Sequence, residues 1–192
     1  RSLMFNPWKL WKKVFSKIKT RRWKHEDAFA IFTIEQQGQK DCDERQIALK
    51  RLFNQMENEA TYGAVVTENE VIKGFVVAYL GKTHEIMIYA LYVDEKSDFT
   101  KYGTKLIEHL FAIRGTWGKI FLSIDIREEE EDMRQFLMDD NGFVITKMNE
   151  FIVDKSEPAH VVYTLRYPSP NGFKPHNLVI FVDGEKKKTK RP

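Results

Sequence analysis

The run EIMIYALYV, residues 85–93, is apolar at almost every position, and the chain then turns through DEKSDFTKYG into KLIEHLFAI, whose apolar residues recur at helical spacing. A strand of that composition reads as central and buried on both faces, and the order of strands and helices around it makes the chain an α/β sandwich with a mixed sheet. The same junction places Gly103 where a strand hands over to a helix. Free backbone N–H groups and the positive end of a helix dipole converge at such a place, which suits phosphate.

The other segments fit around this pair. AFAIFTIEQ (28–36) reads as a strand, and DERQIALKRLFNQM as a helix with Asp43 and Gln46 placed for a capping box. TYGAVVTEN and EVIKGFVVAYLGK read as a hairpin turning at Glu68-Asn69. After the helix from Thr100 to about Arg114, ended by Gly115, come the strand KIFLSIDIR and the helix REEEEDMRQFLMDD, which stops at Asn141-Gly142. FVITKMNEFIVD and AHVVYTLRYP supply two last strands, and NLVIFVDG a short further one. The expected fold is α/β, with a mixed, mostly antiparallel central sheet flanked by helices. The organisation is a basic amphipathic helix over 1–24, a body over 25–168, and a linker, short strand and basic tail over 169–192.

At 192 residues the chain can bury a substantial core. No apolar run is long enough to cross a bilayer. The single Cys42 sits among acids and reads as inert, in keeping with a reducing, cytoplasmic setting. Charge is divided unevenly. Residues 1–24 hold nine Lys or Arg and no acid, residues 185–192 hold five bases and one acid, and the remainder holds 17 bases against 27 acids, a net of −10. The basic ends are candidates for polyanion contact. Trp8, Trp11, Phe15 and Ile18 form an apolar stripe on the N-terminal segment, expected to pack on the body or on a second copy in a homodimer, the alternative being a membrane surface or nucleic acid. The five histidines lack zinc-ligand spacing, so no metal is expected. There is no nucleophile elbow, dinucleotide fingerprint or Walker lysine.

Val93, followed ten residues later by Gly103 and then Thr-x-Leu, resembles the acetyl-CoA signature of the GNAT superfamily of N-acetyltransferases. Asp98 and Lys101 stand where that loop usually has Arg or Gln and Gly. Downstream, EDMRQFLMDDNGF resembles the family's later segment at Gly142-Phe143, with Glu131 in the Asn position and Met138 in the position of the usual tyrosine acid. The resemblance covers roughly residues 25–168. It implies acetyl-CoA held by backbone around Leu91, Tyr92 and Val93 and by amides from Phe99, Thr100, Lys101, Tyr102, Gly103 and Thr104. It further implies acetyl transfer to a primary amine of a small molecule or of a protein or RNA acceptor, with Glu85 and His84 as candidate bases. A thioether cannot donate a proton, so Tyr89, Tyr92, Tyr102 or Tyr163 would have to replace the missing acid at Met138. The alternative is a GNAT-like binding or structural module that has lost catalysis and meets nucleic acid through its basic ends.

Overall fold

A computed structural model describes residues 17–37, 42–151, 160–167, 180–182 and 185–187. Seven strands form one sheet in the order β1-β2-β3-β4-β5-β7-β6: β1 Ile18–Arg22, β2 Thr61–Glu68, β3 Val71–Tyr79, β4 Glu85–Val93, β5 Phe121–Arg127, β6 Val144–Phe151 and β7 His160–Tyr167. The helices are α1 Ala28–Glu35, α2 Cys42–Glu57, α3 Phe99–Ile113 and α4 Glu131–Gln135, the last running into a π-turn over Phe136–Asp140. A separate two-stranded sheet pairs β8 Ile180–Val182 with β9 Glu185–Lys187. The expected mixed, mostly antiparallel sheet flanked by helices is what the chain forms.

The chain divides into two compact units. The first takes in the described residues up to Val76 together with Leu91–His109. Here the sequence reading needs four corrections. Residues 18–22 form a strand paired with β2 from Ile18↔Glu68 to Arg22↔Ala64, where an amphipathic helix was expected; the rest of the apolar stripe, Trp8 to Phe15, lies outside the described residues. AFAIFTIE is helix, not strand: Ala28, Ile31 and Ile34 are its buried positions, at the three-residue spacing of one helical face. Two-faced burial belongs to β2, continuous from Tyr62 to Thr67, and not to β4, where Met87, Tyr89 and Tyr92 are exposed between buried Ile86, Ile88 and Leu91. The hairpin turn falls one residue later than expected, at Asn69-Glu70, both with left-handed φ (53° and 67°), which matches the twist of the flanking strands. The helix over 42–57 is as expected, though its capping side chains lie outside the described residues.

Two anchors hold the start of this unit. Trp23 is buried flat against Gly63 and donates its backbone N–H to the Gly63 carbonyl (3.0 Å). Asp27, also buried, accepts both Arg21 Nη atoms (2.6 and 2.8 Å) and the Lys24 amide (2.8 Å). Further along, Tyr62 of β2 and His109 of α3 share a hydrogen bond at 2.9 Å. Much of the described N-terminal basic block is thus engaged internally: Lys19 pairs with Glu70, Arg21 with Asp27, Lys24 with Glu26, and Arg22 lies over the Tyr62 ring.

The second unit comprises Val77–Ala90 and the described residues from Leu110 onward. β5 pairs in parallel with the start of β4, from Glu85↔Phe121 to Ile88↔Ile124, and antiparallel with β7, which in turn pairs with β6 across a bulge between Ile145 and Lys147. Phe111 and Phe143 pack on Tyr167 from the same side that buries Leu122 and Leu165. The end of α3 is also corrected: a 3-10 turn over Arg114–Trp117 follows it, and the left-handed terminator is Gly118 (φ 65°) rather than Gly115.

Candidate functional site

The strand-to-helix junction lies in the first unit. At the end of β4 the Asp94 amide donates to the Lys73 carbonyl (2.9 Å), and a β-carbon at Gly74 would stand 2.7 Å from the Tyr92 carbonyl oxygen. Tyr92 and Asp94 therefore direct their backbone groups at β3. Backbone direction alternates along a strand, so Leu91 and Val93 direct theirs to the opposite edge. The burial rhythm of β4 also slips by one residue between Ile88 and Leu91, beyond the last parallel pair with β5.

The loop is organised by carboxylates. Gln37 clasps it from the end of α1, donating Nε2 to Asp94 Oδ1 (2.6 Å) and accepting the Glu95 amide (2.9 Å). Ser97 donates its hydroxyl to Asp94 Oδ2 (3.0 Å). The Gln37 amide, helped by Ser97, holds the Asp94 carboxyl below the ordinary carboxylate range against the opposing effect of desolvation. No spacing in the sequence signals a clasp between residues 57 positions apart.

Asp98 is the N-cap of α3. Its Oδ1 accepts the Lys101 amide (2.9 Å) and its carbonyl accepts the Tyr102 amide (3.1 Å). Residues 99–104 are accordingly the opening of the helix, which starts one residue before the expected Thr100. Gly103 is buried with an ordinary helical backbone, so its value there is small size and not an unusual dihedral. Of the six amides singled out in the sequence, those from Tyr102 onward have acceptors within the helix, and Asp98 holds that of Lys101. The helix supplies no carbonyl to Thr100. Lys101 Nζ contacts Glu68 Oε1 (3.0 Å), while the Tyr102 hydroxyl donates to Glu68 Oε2 (2.8 Å). The Glu68 bond raises the Lys101 pKa; burial, then Glu68, raises that of Tyr102. An Asp three residues before a lysine amide is an N-cap pattern readable in the sequence, and it is the functional feature that reading missed.

The candidate bases belong to the second unit. Glu85 opens β4, a nine-residue strand that Val93 closes, and its carboxylate takes Arg166 Nε (3.0 Å) and Nη2 (3.4 Å). The His84 carbonyl accepts the Ile120 amide at 2.8 Å. Among the tyrosines, Tyr92 stacks on Phe75, Tyr163 lies under Arg134, Tyr102 is held by Glu68, and Tyr89 is exposed. Met138 lies in the π-turn after α4, and Gly142 takes the left-handed conformation (φ 70°) before buried Phe143. Among the described residues no group of three or more His, Cys, Asp or Glu is placed to hold a metal, and no helix is long and apolar enough to cross a membrane.

No protein-family profile matches this sequence, and no curated protein matches it either. Solved structures do. A protein assigned to the GNAT family of acetyltransferases from Desulfovibrio desulfuricans aligns with a TM-score of 0.63 at 14% identity, covering 78% of this chain and 98% of its own. The ribosomal-protein-S18-alanine N-acetyltransferase of Escherichia coli aligns at 0.61 with 15% identity, covering 82% and 99%. A protein assigned as an acetyltransferase from Salmonella typhimurium, solved with its cofactor acetyl-CoA, aligns at 0.56 with 15% identity, covering 81% and 99%. The chain has the GNAT acetyltransferase fold.

The junction suits a CoA thioester in part. The strand half offers the Leu91 and Val93 backbone on the edge away from β3. The helix half is occupied by the protein's own anion, because the Asp98 carboxylate sits on the first turn of α3 and Glu68 engages Lys101.

Proposed function

We propose that the protein is an acetyl-CoA-dependent N-acyltransferase that acetylates a primary amine, acting in the cytoplasm. The observation that carries this reading is the path of β4 beyond Ile88: its rhythm slips, its Leu91 and Val93 backbone groups turn away from β3, and it leads directly into α3 in a GNAT fold. Leu91 and Val93 would hold the pantetheine arm. Thr100 would meet the pyrophosphate once the Asp98 side chain turns aside, with Tyr92, Phe99, Lys101, Tyr102, Gly103 and Thr104 forming the surrounding wall. Bound acetyl-CoA supplies the thioester carbonyl that the amine attacks. Glu85 is the candidate base, available only when released by Arg166, with His84 beside it, and exposed Tyr89 is a candidate acid.

Acetyl-CoA titrated into the purified protein tests this reading. Asp98→Asn keeps an acceptor for the Lys101 amide but removes a negative charge from the helix terminus. That change should tighten acetyl-CoA binding about fivefold or more, a difference on the order of 1 kcal/mol. Gly103→Val, which adds bulk at a buried position of the helix opening, should weaken binding. Failure of wild type and Asp98→Asn alike to bind millimolar acetyl-CoA would remove the acyltransferase reading. It would leave the second one, a GNAT-fold binding module, which the self-capped α3 favours.

A further inference from the structure

One face of the sheet in the second unit is built unlike the other. Parallel pairing places Glu85 beside Phe121 and Met87 beside Ser123; antiparallel pairing places Ser123 beside Arg166, Asp125 beside Thr164, and Thr164 beside Lys147. These residues therefore share a face with Tyr89. β4 is the fourth of seven strands, where large apolar side chains are ordinarily covered, yet Met87 is 42% exposed and Tyr89 65% exposed. The exposed Asp125 carboxylate accepts the Thr164 hydroxyl at 2.6 Å, which orients it without neutralising it. Arg166 cannot neutralise it either, being paired with Glu85. Lys147 stands two strands away in the same row, and Arg127, two residues along β5, is drawn toward Glu129. One row from Asp125, Ser123 is only 2% exposed, and its Oγ has no hydrogen-bond partner among the described residues. A buried hydroxyl left so is costly unless a ligand or water satisfies it.

We infer that this face binds the acyl acceptor as a primary ammonium carried on an apolar, aromatic body. The ammonium lies on Asp125, with Ser123 Oγ as a further acceptor, and the body lies on Met87 and Tyr89. Charge complementarity selects the ammonium, and the exposed Met–Tyr pair selects the apolar body. The inference rests on the acyltransferase reading for the amine's fate, but not for its binding.

The test is a titration of 2-phenylethylamine into the full-length protein without acetyl-CoA, beside 2-phenylethanol, which lacks the charge, and putrescine, which lacks the ring. The amine should bind at least tenfold tighter than either comparison compound. Asp125→Asn should weaken it about tenfold or more, since a charge-assisted bond is lost, and Tyr89→Ala about threefold. Ser123→Ala, which removes an unsatisfied group and should not unfold the protein, should also weaken it. Equal binding of the alcohol, no binding of the amine, or an unchanged constant in Asp125→Asn would each overturn the assignment. Amine binding through Asp125 with no acetyl transfer would instead remove the proposed activity and leave this site standing.

Discussion

Replacing Gly63 by alanine is expected to destabilise the protein by about 3–5 kcal/mol, the range for disrupting a large buried aromatic. The added β-carbon would lie 1.9 to 2.2 Å from three carbons of the Trp23 indole. No rotation of a flexible chain end relieves that overlap, because the obstacle is a buried ring on a residue whose backbone amide is bonded to the Gly63 carbonyl. Either the indole leaves its seat or β1 separates from β2. Small domains are stable by only about 5–15 kcal/mol, so much of the margin disappears. Urea unfolding of Gly63→Ala, Trp23→Ala and the double variant measures the effect. Trp23→Ala costs its own burial but removes the clash, so the double variant should be clearly more stable than the sum of the two losses. Strict additivity would show that the two residues do not share a contact.

Asp27→Ala is expected to cost about 2–3 kcal/mol, below the range for a fully buried ion pair because Arg21 is partly open to solvent. The change strands the Arg21 guanidinium and the Lys24 amide together. The pH dependence follows from the same contacts. Burial pushes the Asp27 carboxyl up, but the Arg21 bonds and the Lys24 amide outweigh it, so its folded pKa lies below the ordinary 3.8. The stability it contributes is present above that value and is lost as pH falls through the lowered folded pKa. His109 acts in the same direction at higher pH: burial lowers its pKa from 6.5, so the unfolded chain takes up that proton first and stability begins to fall below about 6.5. Urea midpoints should therefore decline in two stages on acidification. His109→Gln should flatten the first stage and Asp27→Asn the second. A midpoint unchanged between pH 7 and 5 in wild type would exclude the His109 contribution.

The order of elements from β2 to β7 was legible because each has a period or a terminator of its own: alternation in VIKGFVVAY, helical spacing in KLIEHLFAI, Asn141-Gly142 after FLMDD. AFAIFTIE was not, since its six apolar residues show no clear period, and an exposed Phe29 looks no different from a buried Ile31. β1 was hidden for the opposite reason. IKTRR becomes a strand because β2 needs a partner and Trp23 needs Gly63, both contacts made at long range. The junction was found from the spacing of Val93 and Gly103, and the helix start at Thr100 was placed within one residue. What stayed hidden was that Asp98 caps that helix, because what its carboxylate does to a phosphate is a matter of charge in three dimensions. Asp125 gave no signal, since its neighbours on the face come from strands 22 and 39 residues further along.

The strand order β5-β7-β6 has a consequence for how the protein is made. β7 is the last strand of the large sheet in the chain, yet it lies between the two that precede it. A nascent chain that has emerged only as far as residue 151 holds β5 and β6 with nothing to join them, and β5 presents an unpaired edge along Phe121–Arg127. Such an edge is a template for any other strand that meets it. Closure waits for His160–Tyr167 to insert, so truncation between 151 and 160 should yield aggregates seeded at β5, whereas a released chain truncated just after 167 keeps every strand of the seven-stranded sheet.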